Sequence, residues 1–378
     1  IQGETGSGKT VVAFFLAAQT LAAQQSLCLL APTEILANQH QQTFQKFGLP
    51  KEQVVLVTAK KPLTKVPSKP TIFIGTHALL TQLHQKLPFP LAAVVIDEQH
   101  KFGVKQRAEL LTRCPTPHLF NLTATPIPRT LALGLFGEVA ISNLKEKPKN
   151  RLPIKTWVLN QSRFEKSTPW LKEQIRQGSK IFAVAPTIHG LGEKAGAEKI
   201  FKRYQTTCGS FTRAYLIHGQ MKTDLIEKTL SAFKKAKGGI LVATTIIEVG
   251  VDIPEADVII IHGADNFGLA TLHQLRGRVG RREHQGYCLL ISSNKEEDSN
   301  DRLQLMSKYH SGLTLAKMDL RLRGAGELFG SRQHGWLPVR LKNFWNKALF
   351  KKAKETASEL LEKDESAAQR LARSLAAC

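Results

Sequence analysis

Cysteine is scarce in this sequence and never paired. Cys28, Cys114, Cys208, Cys288 and Cys378 are scattered over 378 positions with no C-x-x-C. That spacing excludes a zinc ribbon and a disulfide framework, and it points to a reducing compartment. Long hydrophobic runs are also missing. The longest, such as Val11 to Ala18 and Leu91 to Ile96, fall well short of the ~20 residues a membrane helix needs. No spanning segment or targeting peptide is visible, so no membrane partner is expected. Acidic residues are outnumbered, 31 Asp and Glu against 53 Lys and Arg, giving a net charge of +22. With no low-complexity tail to carry that excess, it is most simply offered to a polyanion such as nucleic acid.

The chain is long enough for two or three domains, each burying its own core. Apolar, β-rich runs alternate with helical patterns: Ser26 to Leu30, Gln53 to Val57, Thr71 to Ile74, Ala92 to Ile96 and His118 to Asn121. A second series covers Ile154 to Leu159, Lys180 to Ala185, Arg213 to Ile217, Ile240 to Ala243, Val258 to Ile261 and Gly286 to Ile291. This rhythm predicts βαβ units on two parallel sheets, with ligands at the carboxyl ends of the strands. The polar stretch from Ser142 to Asn150 reads as a linker between them, and beyond Asn294 the texture turns to helix and loop. The expected domains are therefore 1–147, 148–294 and a mainly helical 295–378.

The opening residues, IQGETGSGKT, fit G-x-x-x-x-G-K-[ST]. In such a loop Gly3, Gly6 and Gly8 let backbone N–H groups cradle phosphates, Lys9 reaches the outer ones and Thr10 holds magnesium. A buried strand normally feeds it. Only Ile1 and Gln2 precede it here, so the strand is expected to be cut away and the first half to fold poorly without it. The apolar run AAVVIDEQH then brings Asp97 and Glu98 to a strand end, Asp97 as a second magnesium ligand and Glu98 as the base for an attacking water. The segment NLTATPIPRT puts Thr123 and Thr125 at another strand end, suited to linking the nucleotide site to a moving interface. Pro32, Thr33 and Glu34, and likewise Gly75, Thr76 and His77, lie at strand-to-helix junctions where helix starts favour phosphates. They look like contacts to one strand of nucleic acid. Further on, VATTIIEVGVDIP sets Thr244, Thr245, Glu248, Gly250 and Asp252 after a strand, and HQLRGRVGRREHQG supplies Gln274, Arg276, Arg278 and Arg281. A guanidinium reaching the γ-phosphate from another domain would stabilise transition-state charge.

GETGSGKT, APTEILA, DEQH, TATPIPRT, TTIIEVGVDIP and QLRGRVGR stand in the order of the superfamily 2 helicases. The chain resembles that superfamily, and within it DEQHKFGVKQR, TATPIPRTLAL and DNFGLATLHQLRGRVGRREHQGYCLL resemble the RecG family. The likeness implies two RecA-like domains that clamp ATP between them and nucleic acid across them. It implies an ATP-driven, duplex-DNA translocase or helicase acting on branched DNA, such as stalled forks and Holliday junctions, in recombination and repair. By position it assigns the ATPase centre to Lys9, Thr10, Asp97, Glu98, Arg278 and Arg281, with Gly250 and Asp252 across the cleft. Coupling falls to Gln99, His100, Thr123, Thr125 and Gln274, and DNA contact to Pro32, Thr33, Gly75, Thr76 and Thr244. SGLTLAKMDLRLRGAGELFGSRQHG resembles the translocation motif that the family shares with transcription-repair coupling factors, and it assigns movement to Arg321, Arg323, Gly324, Gly326, Glu327, Arg332 and Gln333. Glu4 departs from the pattern, standing where an aspartate is common. The implied cofactors are ATP and Mg2+, and the implied partners are branched or duplex DNA and a single-stranded-DNA-binding protein. A monomer in the bacterial cytoplasm, associated with the nucleoid, completes the expectation. Two other readings remain open, a translocase of the transcription-repair coupling type and a non-catalytic, ATP-dependent nucleic-acid clamp.

Overall fold

The computed structural model describes residues 1–65, 67–83, 91–98, 117–124, 140–144, 146, 152–190, 196–208, 212–248, 253, 255–280, 284–292, 301–323, 347–364, 366–367 and 369–370. The chain divides into two compact units, Ile1–Pro126 with Ser142–Leu315, and Ile127–Ile141 with Ala316–Cys378.

The first unit holds two parallel sheets. In the first, β2 (Ser26–Leu30), β3 (Val54–Val57), β4 (Ile72–Gly75), β5 (Leu91–Asp97) and β6 (His118–Leu122) lie in the order β3-β4-β2-β5-β6. The pattern of β2 shows why. Leu27 and Leu29 face a core with Ala13 and Ala17 of α1 (Lys9–Ala22) and Ala37 and Phe44 of α2 (Glu34–Lys46). Cys28 and Leu30 face a second core with Phe73, Val94 and Leu79 of α3 (His77–Leu83). Both faces are covered, so the strand is apolar without alternation, as parallel sheets require.

The residues that lead into the phosphate loop are themselves in a strand. Gln2 and Gly3 form β1, paired in parallel with β7 (Asn143–Leu144) and bridged to Thr123 beside β6. Backbone bonds hold it: Gly3 N–H to the Thr123 carbonyl at 3.1 Å, Thr123 N–H to that of Ile1 at 3.1 Å and Gln2 N–H to that of Ser142 at 2.8 Å. Pairing of this kind needs main-chain groups rather than apolar side chains. For the same reason the polar stretch read as a linker contributes Asn143 and Leu144 to a strand.

The second sheet comprises β8 (Lys155–Leu159), β9 (Lys180–Val184), β10 (Ala214–Ile217), β11 (Gly239–Ala243), β12 (Ala256–His262) and β13 (Tyr287–Ile291), in the order β10-β11-β9-β12-β13-β8. Helices α4 (Gln161–Lys166), α5 (Thr168–Arg176), α6 (Ala197–Cys208) and α7 (Thr223–Lys235) accompany its strands. Its two cores split the strands by parity, Phe182, Leu241 and Ile259 on one face and Ile181, Ile240 and Ile260 on the other. The first core also takes in residues of α8 (Leu269–Arg276) and α9 (Asp301–Lys308), with Leu315 of α10 (Gly312–Arg323). In the second unit the described elements are helices, the rest of α10 and α11 (Lys347–Lys363).

Candidate active site

The phosphate loop runs from β1 into α1. Gly6 and Gly8 adopt positive φ, 84° and 92°, and Gly8 caps the helix in the left-handed conformation with no side-chain bond. That geometry leaves the first amides of α1 to an anion. Lys9 Nζ donates to the carbonyls of Gly3 at 2.6 Å and Glu4 at 3.1 Å. Burial lowers its pKa, opposed by the nearby carboxylates of Glu98 and Asp97. The hydroxyl of Ser7 is buried with no hydrogen-bond partner. A phosphate group fits this cradle, since it offers acceptors to the amides, to Lys9 and to that hydroxyl.

Opposite the loop, β5 ends on Asp97, and Glu98 follows it in the left-handed region at φ 51°. Such a conformation is costly for a non-glycine residue and is concentrated at functional sites. The Glu98 amide donates to the Leu122 carbonyl at 2.9 Å, which fixes the turn. Burial pushes the Glu98 carboxyl up to about 7, and the neighbouring Asp97 adds to the rise. Lys9, the amide of Ala124 and Arg278 act the other way. Ala124 lies within the TATP segment, so its backbone touches the glutamate directly. Thr123, its neighbour, is buried and braces β1.

Arg278 follows α8. Its charge acts on both Lys9 and Glu98, and its guanidinium donates to the Glu248 carbonyl. Thus Lys9, Asp97, Glu98 and Arg278 come together at one site between the two sheets. Thr10 is in the first turn of α1. With Asp97 it offers a hydroxyl and a carboxylate, the oxygen donors magnesium takes. Among the described residues no group of three or more His, Cys, Asp or Glu is arranged to hold a metal ion. Mg2+ would therefore rest on few protein ligands and on phosphate oxygens, which is its usual mode in nucleotide sites.

The remaining candidates are placed less uniformly. Pro32 and Thr33 lie after β2, and Thr33 caps α2 by accepting from the Leu36 amide at 3.2 Å. Gly75 ends β4 and Thr76 precedes α3. Thr244 and Gln274 are buried, 8% and 4% exposed, and so stand behind the surface. Arg321 and Arg323 lie on α10. Gln99, His100, Thr125, Gly250, Asp252, Arg281, Gly324, Gly326, Glu327, Arg332 and Gln333 lie outside the described residues, as do the side chains of Arg321 and Arg323.

Contacts of three residues were not anticipated from the sequence. His40, buried in α2, bonds through Nε2 to Asp97 Oδ2 at 2.8 Å. Its signal was a histidine in the apolar stripe of Ala37 and Phe44. Glu4 accepts from the Gly312 amide at the start of α10 at 3.0 Å and lies 3.9 Å from His273 Nε2. Arg276, which the sequence marked only as part of an arginine-rich segment, donates to the carbonyls of Met306 at 2.6 Å, Tyr309 at 3.1 Å and His310 at 3.2 Å.

Two parallel sheets that meet over a phosphate loop, an acidic strand end and an arginine define a phosphate-loop, nucleotide-binding protein. A family model for DEAD/DEAH box helicases matches residues 1–133, and one for the helicase conserved C-terminal domain matches 165–283. The chain belongs to the superfamily 2 helicases.

Within them it belongs with the RecG helicases. It is 40% identical to the ATP-dependent DNA helicase RecG of Synechocystis over 89% of its own length and 41% of that protein's. It is 38% identical to RecG of Streptococcus pneumoniae over 89% of its length and 51% of that protein's. The chain thus spans about half the length of the curated relatives it matches. A solved structure of RecG bound to a three-way DNA junction superposes with a TM-score of 0.70 at 29% identity, over 93% of this chain and 47% of that one. Yeast Dbp5 bound to RNA and ADP BeF3 shares the fold, with a TM-score of 0.62 at 18% identity over 86% of this chain and 89% of that one.

Proposed function

We propose that the chain is the motor of an ATP-dependent DNA helicase that translocates on duplex DNA and acts on branched substrates. The observation that carries the reading is the convergence of Lys9, Asp97, Glu98 and Arg278 on one site in a chain related to RecG over most of its length. In this reading Lys9 and the loop amides bind the ATP phosphates. Glu98, held at a raised pKa beside the loop, accepts a proton from the attacking water near neutral pH. Arg278 reaches from the second sheet to stabilise charge on the transferred phosphoryl group. Thr10 and Asp97 would hold Mg2+, which when bound supplies charge neutralisation to the phosphate oxygens.

Residues 1–147 and 148–294 serve as the two motor domains, and 295–378 as the segment that carries motion to DNA. Pro32, Thr33, Gly75, Thr76 and Thr244 line or support the strand path. Gln99, His100, Thr123, Thr125 and Gln274 couple the sites, with Gly250, Asp252 and Arg281 completing the nucleotide cleft. Arg321, Arg323, Arg332 and Gln333 carry the translocation step. Relatives of bacterial origin favour a bacterial cytoplasmic, nucleoid-associated protein acting as a monomer, with single-stranded-DNA-binding protein as a further partner. No described helix is long and apolar enough to cross a membrane.

Phosphate release with and without a three-way DNA junction tests the reading. The parent should be stimulated by DNA, while Glu98→Gln should keep nucleotide affinity and lose turnover by about a hundredfold or more. Parent-like turnover in Glu98→Gln would remove Glu98 as the base.

A further inference from the structure

We infer that His40 is a positioning residue for the metal-binding carboxylate, fixing which oxygen of Asp97 is presented toward the phosphate loop. The inference rests on the ATPase reading and extends it to a residue on a different element, α2. Three observations support it.

His40 is 3% exposed and sits in the apolar stripe of α2, between Ala37 and Phe44, both fully buried. A leucine there would satisfy packing without desolvating a polar ring, and an unbonded buried polar group is costly. The ring is retained and bonded, 2.8 Å from Asp97 Oδ2. Its other neighbour is Phe44, edge-on at 6.4 Å between ring centres, which limits how the imidazole can turn. A rigid donor therefore meets a carboxylate that is itself only 8% exposed.

Asp97 has two oxygens to share. His40 engages Oδ2, which sets the rotation of the carboxylate and assigns Oδ1 to other partners. A carboxylate that must hold a metal works best when an outer residue pins it, because an unpinned one has to give up rotational freedom on binding. The same bond ties Asp97 to the helix whose N-cap is Thr33.

Equilibrium binding of fluorescent ADP to the full chain, titrated with magnesium chloride, tests this. Affinity measured in chelator reports a folded cradle independently of the metal. His40→Leu fills the volume and removes the donor; His40→Gln keeps a nitrogen near the position of Nε2. Both should match the parent in chelator. His40→Leu should need about tenfold more magnesium for half-maximal tightening, and His40→Gln should recover most of that shift. A parent-like magnesium midpoint in His40→Leu would overturn the inference and leave the ATPase reading intact, as would equal impairment of the two variants. Loss of ADP binding in chelator by both variants would assign His40 to the fold and overturn it too. A parent that binds no ADP would instead overturn the ATPase reading together with this extension of it.

Discussion

The two sheets of the first unit are built to one plan and used for different ends. Placing β1 beside β6, the first runs β3-β4-β2-β5-β6-β1 and the second β10-β11-β9-β12-β13-β8, the same path through the same number of strands. Equivalent positions can therefore be compared. After β1 comes a glycine-rich loop before α1; after β8 the chain goes directly through Asn160, whose side chain caps α4 by accepting from the Arg163 amide at 2.8 Å. β5 ends on Asp97 and is followed by Glu98; β12 ends on His262 and is followed by Gly263. Glu98 and Gly263 share a left-handed backbone, φ 51° and 59°. The second sheet gives that strained turn to glycine, which bears it at little cost, and the first gives it to glutamate. His262 meanwhile bonds to the Tyr204 hydroxyl at 3.1 Å, and burial holds its pKa down at about 3. It is a neutral core group where the first sheet has a carboxylate. The plan positions strand ends, and chemistry depends on what is placed there.

The comparison can be broken hardest at the loop. Lys9→Ala should lower ATP turnover by about a hundredfold or more, because it removes the side-chain cation at the phosphates. Steady-state phosphate release would show it, and the equivalent change at the second sheet, Asn160→Ala, should leave turnover per folded molecule unaltered.

A sharper test uses pH. The Glu98 carboxyl is raised to about 7 from 4.5, so turnover should climb as pH passes through 7 and the base ionises. The sign for stability is opposite. A raised acid favours the folded state below its unfolded pKa, and that advantage is lost as pH rises through the folded one, on the order of 3 kcal/mol in all. Glu98→Gln should therefore unfold at a higher temperature than the parent at pH 8, with the gap closing toward pH 4. Thermal melts at both pH values check this, and a gap that stayed constant would contradict the shifted pKa.

The smallest effect belongs to the turn itself. Gly263→Ala should cost about 1–2 kcal/mol, because alanine pays the left-handed penalty that glycine avoids. Denaturant unfolding of the variant checks this, and no measurable cost would mean that the backbone there relaxes freely.

Local patterns carried most of the architecture. The strands were legible because parallel strands buried on both faces are continuous apolar runs, as in Leu27 to Leu30. The phosphate loop and the Asp97–Glu98 pair were legible because each is a contiguous motif. Features made by long-range pairing were not. His40 and Asp97 lie 57 residues apart and Glu4 and Gly312 lie 308 apart, and no local rule links such positions. β7 escaped because a two-residue strand held by main-chain bonds leaves no side-chain signature. The left-handed turn at Glu98 was hidden because glutamate gives no hint of positive φ.

Arg276 has a consequence beyond its bonds. Its guanidinium gathers carbonyls from the turn that joins α9 to α10, and these are the acceptors a helix end leaves open. Fraying of that turn would strand a desolvated cation whose pKa burial has already lowered. Small local openings of that turn are thereby opposed, and the Gly312 amide that follows it is held in addition by the Glu4 carboxylate at 3.0 Å. In hydrogen-exchange terms, the turn before α10 should be protected beyond what an open helix end shows. The start of α10 is thus an anchored end rather than a loose one.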